Sequence, residues 1–299
     1  MLVPSWLWAV FTVIAATGQT FRNATQRSLT ERLGTTGATH IRFLYGLPFG
    51  LLMFVGVSVA YGNVLAPNVT SLLWTGMGAI IQFGATALML AAMRTRSFVV
   101  TVAYTKTEPL LVAVFVVVFL GEHLTVTLAS AILIATVGVF ALSWPSKSGG
   151  EIFSWRPAVL GVGSGGMFAL SSIGFRGGIT SLGADVPFVQ AATLTLVIAL
   201  TIQTVLFTAY LAVRQREQLR VVIGAWREAL PAGFLGAFAS EMWFLAFALE
   251  SPARVRTLGL VEIVIAGLVS RRLFAQTPSL RDVIGMILVV VGIVLLFSG

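Results

Sequence analysis

Ser97 to Thr125 reads SFVVTVAYTKTEPLLVAVFVVVFLGEHLT, an apolar run with Tyr104, Lys106, Glu108 and Pro109 near its centre. Its length, roughly 20–25 residues, matches the hydrocarbon core of a bilayer. Ionisable groups at that depth are costly unless they pair or face water, so Lys106 and Glu108 mark a functional site inside a helix bundle. Pro109 lacks a backbone N–H, which predicts a helix break beside the charges and exposed backbone at the membrane midplane.

The rest of the chain is of the same kind. Of 299 residues 57% are hydrophobic and 10% charged, and the mean hydropathy of +0.96 excludes a soluble globule. A net charge of +8 is compatible with a nucleic-acid binder, but the cations sit in short gaps between apolar runs. The expected partners are therefore a lipid bilayer and a small molecule, with no nucleic acid. Absence of cysteine excludes disulfides, thiol catalysis and cysteine-held metals. The first apolar run starts at Leu2 without a basic leader and reads as a retained helix. No Gly-rich phosphate loop, zinc-binding HExxH pattern or Gly-x-Ser-x-Gly elbow is present, so the expectation is neither an enzyme nor a cofactor protein.

Apolar runs predict an all-α membrane protein of ten helices. The first five are expected at about Pro4 to Phe21, Thr36 to Ala60, Ser71 to Met93, Ser97 to Leu120 and Leu124 to Trp144. The second five are expected at about Arg156 to Arg176, Pro187 to Val213, Glu228 to Leu249, Pro252 to Phe274 and Leu280 to Phe297. A Pro-, Gly- and Ser-rich stretch at mid-chain divides a first repeat, 1–145, from a second, 157–299, with 146–156 as linker. The halves match at one offset: 262 − 108 = 154 places Glu108 on Glu262, Gly138 on Gly292 and Phe21-Arg22 on Phe175-Arg176. Five helices per half make the second copy inverted in the membrane.

Cations support the inversion. Arg22, Arg27, Arg32, Arg42, Arg94 and Arg96 flank the first and third connections. Arg214, Arg216, Arg220, Arg227, Arg271, Arg272 and Arg281 flank the seventh and ninth, and Lys147 and Arg156 the linker. Only Arg176, Arg254 and Arg256 are expected on the opposite side, which puts the odd connections in the cytoplasm and both termini outside. Gly46-x-x-x-Gly50, Gly161-x-x-x-Gly165 and Gly174-x-x-x-Gly178 predict close packing within the chain. Trp6, Trp8, Trp74, Trp144, Trp155 and Trp226 read as an interfacial belt, and His40 and His123 as helix-end residues.

Two more carboxylates, Glu241 and Glu262, fall inside apolar helices, so three negatives face the one positive of Lys106. Residues 106 and 108 point to different sides of a helix, and Lys106 needs a partner across the bundle. Glu262 or Glu241 can supply it, and the repeat symmetry favours Glu262. Together with Gln19, Gln82, Tyr104 and Trp243 these residues form a candidate substrate-binding set, with a purely structural ion pair as the plain alternative.

Glu108-Pro109 followed by Phe119-Leu120-Gly121-Glu122-His123-Leu124-Thr125, on ten helices in two copies, resembles the drug/metabolite transporter superfamily in its EamA-type exporter branch. The resemblance implies a multi-pass secondary transporter of the inner (plasma) membrane, with a central cavity between the repeats that alternates its opening. The second copy departs from the pattern, with Gln276 opposite Glu122 and Ile263 opposite Pro109, and the superfamily's usual cytoplasmic termini oppose the charge count. Lys106 near Glu108-Pro109 is also similar to a motif of sugar-phosphate translocators, but Glu262 at the matching depth disfavours a dianion. One cation among carboxylates suits a zwitterion or an amine. The first expectation is export of neutral or hydrophobic amino acids, a monomer being sufficient; the alternatives are proton-coupled efflux of cationic drugs or amines, and a non-transporting membrane scaffold.

Overall fold

A computed structural model describes residues 3–93, 104–121, 123–143, 155–265 and 280–298. Among them the regular structure is helical throughout, as unbroken apolar runs require where backbone groups must be satisfied within the segment. In chain order the helices are α1 (Leu7–Leu44), α2 (Gly46–Tyr61), α3 (Val69–Met93) and α4 (Glu108–Phe115), which continues into a π-helical turn at Val116–Leu120. Then follow α5 (Val126–Ser143), α6 (Trp155–Thr180), α7 (Phe188–Arg214), α8 (Arg216–Gly224), α9 (Trp226–Leu249), α10 (Pro252–Leu258) and α11 (Leu280–Leu296). Residues 261–265 add a further helical stretch.

Among the described residues four segments are long and apolar enough to cross a membrane: Thr36–Tyr61, Val69–Met89, Phe188–Arg214 and Trp226–Leu249. Glu108–Val118, Val126–Ala141 and Val283–Leu296 are shorter apolar helices. The first of these spans shares α1 with the preceding helix because Gly34, at φ 65° and ψ 172°, interrupts it in a conformation open to glycine. Contrary to expectation, the first helix does not stop at Phe21 but runs to this break. Arg22 therefore lies within a helix and is buried, not in a connection. The seventh connection likewise contains α8, whose Val222 is buried while Arg216 and Arg220 face outward.

The chain packs as two compact units, each drawing on both sequence halves: Met1–Ile80 with Gly174–Glu250, and Ile81–Ile173 with Ser251–Gly299. In the first unit α9 packs against α1, α2 and α7. Small residues allow the approach: a Cβ on Gly233 would lie 2.6 Å from the Tyr45 backbone, and one on Gly174 2.7 Å from Gly78 Cα. Asn68 fixes the start of α3, accepting from the Ser71 N–H at 2.7 Å and donating to Ser181 O at 2.6 Å. Trp8 is buried and Trp74 covers Gly177, so these two are packing residues and not belt residues; Trp6 and Trp226 are exposed.

In the second unit α5 and α11 run antiparallel in close contact. A Cβ on Gly138 would meet Gly285 O and Val289 N at 2.7 Å, and one on Gly292 would meet Ala131 O at 2.7 Å and Ala135 N at 2.8 Å. Ala135, Val139, Leu260 and Val289 form the buried core beside this seam. Expectations resting on Arg94, Arg96, Glu122, Trp144, Lys147, Arg271, Arg272, Phe274, Gln276 and most of the linker lie outside the described residues.

Candidate functional site

The helix around Lys106 is interrupted locally. Tyr104 and Thr105 are helical, Lys106 and Thr107 form a turn, and α4 starts at Glu108 with Pro109 in its first turn. An N–H is not needed there, so the proline opens α4 without leaving a bond unmade. The Thr107 hydroxyl and N–H both donate to Tyr104 O, at 2.8 and 3.3 Å. Glycines of α6 let this turn approach: a Cβ on Gly165 would lie 2.9 Å from Thr105 O, and one on Gly161 would run into Tyr104 Cβ.

The turn brings two charges of helix four against two that follow Pro252. Lys106 Nζ donates to Glu262 Oε2 at 2.9 Å, with the side chains 15% and 12% exposed. Arg256 Nε lies 3.0 Å from Glu108 Oε1 and donates to Ser172 Oγ, also at 3.0 Å. The nitrogen has one proton, and it is aimed at the serine; no donor among the described residues is aligned on Glu108 Oε1.

Arg256 is the residue that sequence reasoning left out of the site. Pro252 starts α10 as expected, Arg256 falls one turn inside it, and its side chain, 11% exposed, pairs with Glu108. Its place in the helix expected from Pro252, six residues before Glu262, was the available clue. At this turn two cations, Lys106 and Arg256, therefore face two carboxylates, Glu108 and Glu262, where one cation among three carboxylates was expected.

The other expected residues distribute differently. Gln82 is buried in the second unit, on α3. Glu241, Gln19 and Trp243 belong to the first unit. Trp243 Nε1 donates to Gln19 Oε1 at 3.2 Å and its ring stacks on Phe247, 6.2 Å between centroids. Glu241, 5% exposed, touches no cation among the described residues; its Oε1 lies 2.6 Å from Thr193 Oγ1, and its Oε2 meets no hydrogen-bond donor among them. Thr193 Oγ1 also lies 2.8 Å from Val189 O. His40 is fully buried, stacked on Phe207 at 5.0 Å, with Nε2 3.1 Å from Thr208 Oγ1, a packing role that its place near a helix end did not suggest.

Comparison with known proteins places the site in context. Residues 156–298 match the model of the EamA-like transporter family. One solved structure, titled only as the crystal structure of a protein, is similar with a TM-score of 0.68 at 14% identity, over 97% of this chain and 94% of its own. At that identity the likeness is one of fold. No curated protein sequence matches the chain.

Proposed function

We propose, from a chain whose residues 156–298 form an EamA-like transporter family domain embedded in a membrane, that the protein exports small zwitterions, first among them neutral or hydrophobic amino acids. The observation that carries this reading is the crossed pairing of Lys106 with Glu262 and Arg256 with Glu108. Each pair offers a cation and an anion at partial burial, where an unpartnered charge is costly. A zwitterion can enter such a site without leaving any charge bare: its carboxylate takes the place of Glu262 beside Lys106, and its ammonium pairs with the Glu262 carboxylate so displaced, while Arg256 stays with Glu108. Tyr104 and Gln82 complete the proposed set in the same unit.

The transport cycle in this reading is alternating access built on ten spans in two inverted repeats. Reciprocal packing of Gly138 and Gly292 supports the inversion, because a two-fold relation at the 154-residue offset exchanges these two contacts. The cation distribution supports a location in the inner membrane with the termini outside. The second cation, Arg256, does not restore a sugar-phosphate reading, since Glu108 neutralises it.

Efflux of cationic amines is the second reading, favoured by the two carboxylates, Glu108 and Glu262, that this site offers an ammonium. Exchange of labelled amino acids against unlabelled ones in liposomes tests both. Amino-acid exchange supports the first, and exchange of amines alone supports the second. Exchange of neither returns the ion pairs to a structural, scaffold role.

A further inference from the structure

We infer that Glu241 is a proton-binding site, and that it carries the proton which drives transport. The observation is a count of hydrogens. Thr193 Oγ1 owns one proton, yet it stands within hydrogen-bond distance of two acceptors, Val189 O at 2.8 Å and Glu241 Oε1 at 2.6 Å. The bond to a carbonyl four residues earlier is the usual use of a helical threonine hydroxyl. With the proton spent there, a carboxylate at 2.6 Å would face the lone pairs of the hydroxyl. A carboxylic acid removes the conflict by donating its own O–H to Thr193 Oγ1, and the distance is that of a short O–H···O bond.

The surroundings agree. Glu241 is 95% removed from contact with its exterior, being 5% exposed, and its second oxygen meets no donor among the described residues. A bare carboxylate in such a place is prohibitive, whereas the neutral acid leaves only a carbonyl oxygen unpaired. Among the described residues, charged and titratable groups on the elements packed against α9 stand elsewhere. Arg22 and Arg42 of α1 lie alongside Gly236, with Cδ 3.7 Å and Cγ 3.3 Å from its would-be Cβ, five residues before Glu241. His40 of α1 stacks on Phe207, Tyr45 reaches Val222 O, and Arg214 ends α7. On α9 itself Arg227 and Glu228 are in the first turn, and Glu250 follows the last. None forms an ion pair with Glu241. A metal ion is a poor alternative occupant, because the carboxylate and one hydroxyl fall short of the six oxygens that hard cations gather.

The purpose assigned to this proton rests on the transporter reading, but its presence is testable without any substrate. Infrared spectra of the purified protein in lipid should show, at neutral pH, the carbonyl stretch of a buried protonated carboxyl that disappears at alkaline pH. Glu241→Gln should remove that band, and Thr193→Val, which deletes the hydrogen-bond partner, should displace it. No such band in the wild type, or a band unchanged in both variants, overturns the site; if Glu241→Gln does not fold, an undisplaced band in Thr193→Val does so alone. In liposomes Glu241→Gln should keep labelled amino-acid counterflow and lose accumulation driven by a pH gradient. Gradient-driven accumulation as in the wild type overturns the coupling role. Amino acids that are not carried at all contradict the substrate reading and leave the infrared result to decide the proton site.

Discussion

Gly138 and Gly292 press into each other's helices: a side chain on either would strike backbone of the helix that carries the other at 2.7 Å. Backbone cannot yield as a side-chain tip can, so Gly138→Ala and Gly292→Ala should each destabilise by about 1–3 kcal/mol, the cost typical of overpacking. Gly56→Ala, at a glycine with open space around it, should be neutral. Thermal unfolding of the three variants in detergent checks this; a Gly138→Ala protein as stable as Gly56→Ala contradicts the seam.

Lys106→Ala leaves Glu262 without the Nζ that now donates to it at 2.9 Å. Removing one partner of a buried pair costs about 3–5 kcal/mol, reduced here because the two side chains are only partly buried, 15% and 12% exposed. The double change Lys106→Met with Glu262→Met should recover most of that stability while transport stays lost. Recovery of transport in the double variant would assign the pair to packing alone.

Arg256 acts through geometry as well as charge, since its Nε donates to Ser172 and faces Glu108. Lysine keeps the charge but not the fork, so Arg256→Lys should lower transport on the order of tenfold, equal to about 1.4 kcal/mol. Initial counterflow rates measure it, with a folded, monodisperse sample as the control. An unchanged rate removes Arg256 from the site.

The absence of native cysteine allows topology to be read directly. Cys placed at exposed Glu217, in α8 among the arginines, should label only from the cytoplasm, and Cys at exposed Val64 only from outside. Reversed labelling inverts the orientation and leaves the fold intact.

Much of this architecture is written in local pattern. Apolar runs announced several helices to within a few residues, Thr36–Tyr61 and Phe188–Arg214 among them, because a bilayer-length stretch has few alternatives. The partner of Lys106 was legible from the 154-residue offset. Other features depend on packing that no run displays. The polar stretch after Phe21 reads as a loop, yet it continues α1 to Gly34 because the cluster of Leu29 and Leu33 against Val222 and Ala225 holds it. Arg256 falls inside the helix expected from Pro252, but nothing in the sequence announces its ion pair with Glu108. Glu241 shares its apolar setting with Glu108 and Glu262 in sequence, but it packs in the other unit, beside a threonine and, among the described residues, no cation.

Counterflow of labelled neutral amino acids into liposomes, compared between the wild type and Lys106→Ala, tests the proposed function most directly. The wild type should exchange label for unlabelled amino acid and refuse sugar phosphates, and folded Lys106→Ala should show no exchange above empty vesicles. Wild-type exchange rates in Lys106→Ala, or no amino-acid exchange by the wild type, would contradict it.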